Sequence, residues 1–313
     1  MPMTTGDGSA SADADLSDYY GNLRNYVKMV TGGYSNLLML DAKGGLGKTH
    51  NVTETLSEEL DDDLWVHQKG FTTPIELFKT LWKARHEDAV LFLDDMSGVT
   101  NNTKAIDMLK AATDTQGEEN WVEYRTSRDI DHPYVDGETL PNTFCFRGRV
   151  IMSFNDTPDN RHFAALKDRG TFYNLSFSYQ ERLGLLREIA KLTDFSSLPV
   201  SIQEETAEWI ASVTDSSYDV TIRTFEEVLK MRQFAQDANC DGGDGGEASV
   251  DWEKMALEIF DMDYKKHLII QMREANDMSI ESQVEAFCLE TGKSESHYYN
   301  LMSEIKSERG DSI

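Results

Sequence analysis

Apolar and polar residues alternate along this chain with two periods, and the change from one to the other marks out its elements. Tyr19, Tyr20, Leu23, Tyr26, Val27 and Met29 recur at near-helical spacing and lead into Gly32-Gly33, which predicts a short helix within 19–35. Leu37 to Leu40 is a continuous apolar run and predicts a first strand. Helical character from Val52 to Leu60 is ended by Asp61-Asp62-Asp63, and Leu64 to His67 predicts a second short strand. Thr72-Thr73-Pro74-Ile75-Glu76 combines a cap residue, a proline in the first turn and an acid close behind, so a helix starts there and runs to Arg85. Ala89 to Leu93 is apolar throughout, as expected of a strand covered on both faces of a parallel sheet. Further on, the pattern predicts a helix over Ala105 to Ala112, a short strand over Trp121 to Tyr124, and a long polar loop containing Pro133 and Pro141. A fourth buried strand is expected within Phe144 to Asp156, a short helix over 164–170, and a fifth strand over Thr171 to Phe177.

Beyond residue 178 only the helical period remains. Tyr179 to Leu192, Ile202 to Val213 and Ile222 to Ala235 read as three helices, and Asn239 to Ala248, with two Gly-Gly pairs, reads as a flexible linker. Trp252 to Glu274 predicts one amphipathic helix; Ser279, with Glu281 in the first turn, opens another that ends at Thr291-Gly292; Lys293 to Lys306 predicts the last. The expected class is α/β: a parallel five-stranded sheet sandwiched by helices, then an all-helical unit, then a small helical C-terminal domain. The expected domain divisions are a disordered acidic tail over 1–18, an α/β domain over 19–178, a helical unit over 179–238, a linker over 239–249 and a helical domain over 250–313.

Charge changes the picture. The 313 residues carry 56 Asp and Glu against 30 Lys and Arg, a net charge of −26. Such an excess of carboxylates repels phosphates on average, and so argues against broad, non-specific binding to nucleic acid or to an anionic membrane. A halophilic host is one source of such a surface, because concentrated salt screens its self-repulsion; a simply acidic mesophilic protein is the other. The three cysteines, Cys145, Cys240 and Cys288, form no CxxC pair and suggest a reducing compartment without a zinc site. The first 18 residues are small, polar and acidic, and no run of 18 apolar residues occurs, so neither a secretory signal nor a membrane span is expected.

Candidate chemistry centres on Ala42-Lys43-Gly44-Gly45-Leu46-Gly47-Lys48-Thr49, which fits the phosphate-loop pattern with Ala in place of the leading Gly. The strand before it and the helix after it are the context that pattern needs. Glycines at 44, 45 and 47 supply the dihedral freedom for a turn whose backbone N–H groups, over Lys43 to His50, face an anion. Lys48 would reach the β and γ phosphates of ATP, Thr49 would hold Mg²⁺, and the helix dipole would favour the negative charge. Asp94-Asp95 ends the third strand, at the carboxyl edge where ligands bind in such sheets; the first acid suits Mg²⁺ and the second can polarise water. Asn155, at the end of the fourth strand, reads either as an amide that orients water or as part of a turn-forming Asn-Asp pair. Arg169, before the fifth strand, reads either as a helix cap or as a guanidinium offered to a neighbouring subunit's phosphates.

Taken in order, AKGGLGKT, QKGFTTPIELFKTL, AVLFLDDM, FRGRVIMSFND and ALKDRG resemble the AAA+ ATPases, most closely the small AAA ATPases of tailed phages and archaeal viruses. The resemblance covers about residues 35–235, and implies that 19–178 is a P-loop nucleotide-binding domain and 179–238 its helical lid. It implies that Lys48 and Thr49 bind phosphate and Mg²⁺, that Asp94 supports the metal, that Asn155 is the sensor amide and that Arg169 is the arginine finger of a homo-oligomer such as a ring. Asp95 departs from the family's usual Glu and is one methylene shorter, which weakens its case as the water-activating base. Thr221-Ile222-Arg223-Thr224-Phe225 resembles the second sensor, in which Arg223 touches nucleotide; the structural alternative pairs that Arg with a carboxylate. The function implied is ATP hydrolysis in a virus or mobile element, in host cytoplasm, acting on DNA or a replication protein through 250–313. A DNA-binding regulator that senses ATP with little turnover is the alternative. The last two helices resemble a helix-turn-helix, with Ser296, His297 and Tyr298 near the start of the second. Glu295, Glu304 and Glu308 deny it a basic stripe, which leaves a protein-binding hairpin equally open.

Overall fold

The computed structural model describes residues 16–309 apart from 71, 96–98, 100–101, 115–118, 158–160, 242–249, 261 and 275–277. The chain divides into two compact units, 1–178 and 179–313. In the first, β1 (Leu37–Asp41), β2 (Trp65–Lys69), β3 (Val90–Asp94), β8 (Arg149–Phe154) and β9 (Thr171–Asn174) form one parallel sheet in the order β2-β3-β8-β1-β9. Helices α1 (Leu16–Thr31), α2 (Lys48–Glu59), α3 (Pro74–Lys83), α4 (Thr103–Ala112) and α5 (Arg161–Lys167) flank it. This is the α/β sandwich that the apolar runs predict.

The sheet's two faces explain those runs. Alternate residues Leu37, Met39, Leu91, Leu93, Val150 and Met152 join Leu77, Phe78 and Leu81 of α3, Met108 and Leu109 of α4, and Phe163 and Leu166 of α5 in one core. Their neighbours Leu38, Leu40, Phe92 and Ile151 are equally buried on the face where α1 lies against β1 and β8. Because both faces are covered, the three central strands show no polar alternation. β9, at the edge, stays partly exposed and ends at Asn174, short of the Phe177 expected from its pattern.

The run from Phe144 to Asp156 is two strands, not one. β7 (Thr143–Phe146) pairs antiparallel with β4 (Asn120–Glu123) outside the main sheet, and β8 starts only at Arg149. Gly148 is the cause: a Cβ there would collide with the Ala84 carbonyl oxygen, while Arg147 N–H donates to Arg85 O (2.9 Å) and Arg149 N–H to Ala89 O (2.9 Å). The backbone is pinned against the end of α3, and only glycine fits. Gly148→Ala is therefore expected to cost about 2–4 kcal/mol and to lower the thermal midpoint by several degrees in a melting experiment. The expected polar loop also holds a short hairpin, β5 (Ile130–Asp131) with β6 (Thr139–Leu140), whose Ile130 and Leu140 are buried.

The second unit is helical: α6 (Tyr179–Ala190), α7 (Val200–Val213), α8 (Ile222–Asp241), α9 (Trp252–Ile259), α10 (Tyr264–Glu274), α11 (Ile280–Thr291) and α12 (Glu295–Arg309). Three expectations need correction. Helix α1 begins at Leu16, inside the expected tail, whose residues 1–15 lie outside the described ones. Residues 239–241, read as linker, belong to α8, while 242–249 lie outside the described residues. The helix expected over 252–274 breaks near Phe260, because Asp263 accepts from Lys265 N–H (2.8 Å) and caps a new start.

The first of those two helices also does not stand apart with the C-terminal segment. Trp252 of α9 packs on Trp209 of α7 (4.9 Å between ring centroids) and under the guanidinium of buried Arg232 of α8 (4.8 Å). A separate cluster joins Ile269, Val284, Phe287, Tyr298, Leu301, Met302 and Ile305 of α10–α12. Ser279 caps α11, and Gly292, at φ 65, ends it. Tyr298 is fully buried and donates to Gln283 Oε1 (3.1 Å), so it holds the two helices together and is not a contact residue for a partner. Ser296 is exposed and His297 half-buried beside Phe287.

Candidate functional site

The strand order brings the carboxyl ends of β3, β8 and β1 side by side, and the loop after β1 turns over them into α2. Gly45 and Gly47 take φ values of 76 and 74, in the left-handed region that side chains disfavour. Among the described residues no side chain caps the start of α2, where Gly47 occupies the cap position, and its first turn carries no acid. Thr73, Asn102, Asp251 and Ser279 do cap α3, α4, α9 and α11. The N–H groups at the start of α2 are thus left to a glycine-turned loop, an arrangement that suits an anion.

Lys48 is buried and its ammonium spends three donors on three acceptors: Ala42 O (2.9 Å), Phe154 O (2.6 Å) and Asn155 Oδ1 (2.6 Å). Burial pushes its pKa down, while Asp94, Asp95, Asp41 and Asp156 pull it back up. A lysine offers only donors, so the Asn155 atom facing it must be the oxygen, which leaves the amide N–H pair directed away from Lys48. Thr49 Oγ1 donates to Asp94 Oδ2 (3.0 Å), and Ser153 Oγ donates to Asp94 Oδ1. Asp94 is 1% exposed, and from β2 the side chains of His67 (3.6 Å) and Lys69 (3.8 Å) face its Oδ2.

Two hydrogen-bonded pairs, Lys48 with Asn155 and Thr49 with Asp94, therefore make up one polar cluster at the carboxyl edge of the sheet. Asp95 lies beside it, exposed, with φ 53, a conformation that Asp tolerates at some cost; its N–H donates to Ser153 O (3.2 Å). Lys43 and His50 are exposed at the two ends of the loop, and Leu46 is buried beneath it.

Two candidates remain, Arg169 in the first unit and Arg223 in the second. Arg169 precedes β9, and because β9 and β1 run parallel with Thr171 opposite Leu38, it sits at the far end of the sheet from Lys48. Its Nη1 donates to Ala165 O (2.8 Å), closing the end of α5. Nε is buried with no hydrogen-bond partner among the described residues. Arg223 belongs to the second unit, exposed in the first turn of α8, which Thr221 Oγ1 caps by accepting from Thr224 N–H (3.1 Å).

Sequence reasoning missed Ser153, His67 and Lys69. Ser153 had a signal, a lone hydroxyl in an otherwise apolar buried strand; His67 and Lys69 gain meaning only through the pairing of β2 with β3.

The donor set suits Mg²⁺: a hydroxyl and a carboxylate are hard oxygen ligands, and this ion is usually held by one or two carboxylates with phosphate oxygens and water completing its shell. Among the described residues no three His, Cys, Asp or Glu side chains gather into a protein-only cage. No helix among them is long and apolar enough to cross a membrane.

No family model matches the chain. It is 25% identical over 219 residues to an uncharacterized 36.7 kDa protein of the nrdC-mobD intergenic region of Enterobacteria phage T4, an alignment that takes in 64% of this chain. The chain spans 66% of the length of that relative. Among solved structures it is similar to the RuvB Holliday junction branch migration motor of Thermotoga maritima: TM-score 0.45, 14% identity, 90% of this chain and 85% of that one. A single-site mutant of the same RuvB gives TM-score 0.45 and 14% identity over 89% of this chain and 83% of that one.

Proposed function

We propose that the chain is an ATP-binding, Mg²⁺-dependent ATPase of the AAA+ kind that works as a homo-oligomer. The observation that carries this is the convergence of Lys48, Asn155, Thr49 and Asp94 beneath an uncapped, glycine-turned helix start. In this reading the loop N–H groups and Lys48 hold the triphosphate, and Thr49 and Asp94 hold the metal. Bound there, Mg²⁺ supplies Lewis-acid neutralisation of phosphate charge. Asn155, fixed by Lys48, aims its amide at the attacking water, and Asp95 accepts that water's proton. Arg169 serves a neighbouring copy. The partner is DNA or a replication protein engaged through the C-terminal helices, and the likeness to the T4 protein supports a viral setting.

The test is release of phosphate from ATP by purified protein across low and molar KCl. Turnover that needs Mg²⁺ and stops on chelation is the expected result. ATP binding without phosphate release, with or without DNA, would favour the second reading, an ATP-sensing regulator. The strained, exposed Asp95 specifically favours that alternative.

A further inference from the structure

Helix α1 lies outside every motif, yet it reaches the phosphate loop once directly and once through Asn51 of α2. Tyr20, buried and met edge-on by Phe177 (5.9 Å, 83°), donates its phenol hydrogen to Leu46 O (3.0 Å). Burial pushes that phenol well above the usual tyrosine range, so it remains a donor at any working pH. Asn51, 3% exposed on α2, donates from Nδ2 to Gly47 O (3.0 Å). Its Oδ1 accepts from Arg24 of α1 through Nε (3.3 Å) and Nη2 (3.2 Å), and Arg24 also pairs with Glu54. The arginine fixes which way the Asn51 amide faces, since a guanidinium only donates.

The consequence follows from peptide geometry. In a trans peptide the C=O and N–H point in opposite directions. Holding Leu46 O toward Tyr20 turns the Gly47 N–H the other way. Holding Gly47 O toward Asn51 does the same for the Lys48 N–H. With φ 74 at Gly47 between them, the two N–H groups become neighbours in one anion-facing concavity.

We infer that α1 is a brace for the phosphate loop, in which Tyr20 and Asn51, with Arg24 behind Asn51, are positioning residues that aim the Gly47 and Lys48 N–H groups at the phosphate chain. This rests on the ATP-binding reading above and assigns the brace to phosphate rather than to the base. An effect transmitted through these N–H groups is the same whether or not adenosine is attached.

The experiment is calorimetric titration of the full chain and of Tyr20→Phe with Mg-ATP and with inorganic tripolyphosphate, with circular dichroism confirming the fold. Tyr20→Phe keeps the ring packing and removes one hydroxyl. Affinity for both ligands is expected to fall by the same factor, roughly three- to tenfold, as for loss of one buried hydrogen bond. Arg24→Gln, at a part-exposed position, is expected to weaken both by about two- to threefold, and decides the matter in the same terms should Tyr20→Phe fail to fold. Unchanged affinity in these variants overturns the brace, and so does a loss confined to ATP, which would mean contact with the base. A wild-type protein that binds neither ligand brings down the ATP-binding reading and the brace with it.

Discussion

Replacing Lys48 by Ala is expected to raise the dissociation constant for Mg-ATP by a hundredfold or more, about 3 kcal/mol or above, and to leave no measurable turnover. The size follows from what the ammonium does. It is a buried cation in a site framed by Asp41, Asp94, Asp95 and Asp156, and without it a Mg-bound triphosphate faces those carboxylates with one fewer positive charge to offset them. The same substitution leaves Ala42 O, Phe154 O and Asn155 Oδ1 short of a donor, so part of any loss could be structural. Lys48→Met strips the same donors but keeps the stem's packing, and melting measured beside affinity separates the two effects: both variants should melt within several degrees of wild type while binding ATP at least a hundredfold more weakly. A Lys48→Met protein with wild-type affinity would show that this lysine only ties β1 to β8.

How much of this was readable beforehand differs by element. The central strands were legible because both faces are covered, which writes an unbroken apolar run into Leu37–Leu40 and Ala89–Leu93. The turn after β1 was legible because what shapes it is local, with Gly45 and Gly47 taking the positive φ values that the loop pattern asks for. The division of Phe144–Asp156 at Gly148 was not, since the reason is the Ala84 carbonyl, distant in sequence. Nor was the break near Phe260, where one capping carboxylate outweighs an amphipathic pattern that runs straight through it. Tyr298 drew notice as an aromatic at the start of a helix, although core packing against Phe287 is what uses it. The brace was hidden for the same reason as Gly148: Tyr20 and Leu46 are 26 residues apart and meet only once α1 has docked.

Arg169→Ala should separate binding from turnover. ATP affinity is expected to stay within about twofold of wild type while hydrolysis drops by about a thousandfold, the usual scale for an arginine that neutralises transition-state charge. Geometry sets the first half of that expectation. Arg169 and Lys48 lie at opposite ends of a parallel pair, about 16 Å of strand apart, so this guanidinium cannot serve its own chain's phosphates. Losing the Ala165 contact would cost the end of α5 about 1 kcal/mol, visible as a small drop in melting temperature but too little to unfold the unit. The second half requires a neighbour, and mixing provides it. Lys48→Ala subunits keep Arg169 and lack a working loop; Arg169→Ala subunits have the reverse defect. Co-assembled from unfolded or dissociated chains, the two inactive proteins should recover a measurable fraction of wild-type phosphate release, because some interfaces then pair an intact loop with an intact arginine. Full activity in Arg169→Ala alone, or no recovery in mixtures that light scattering shows to be assembled, would reduce Arg169 to the helix cap that its own chain displays.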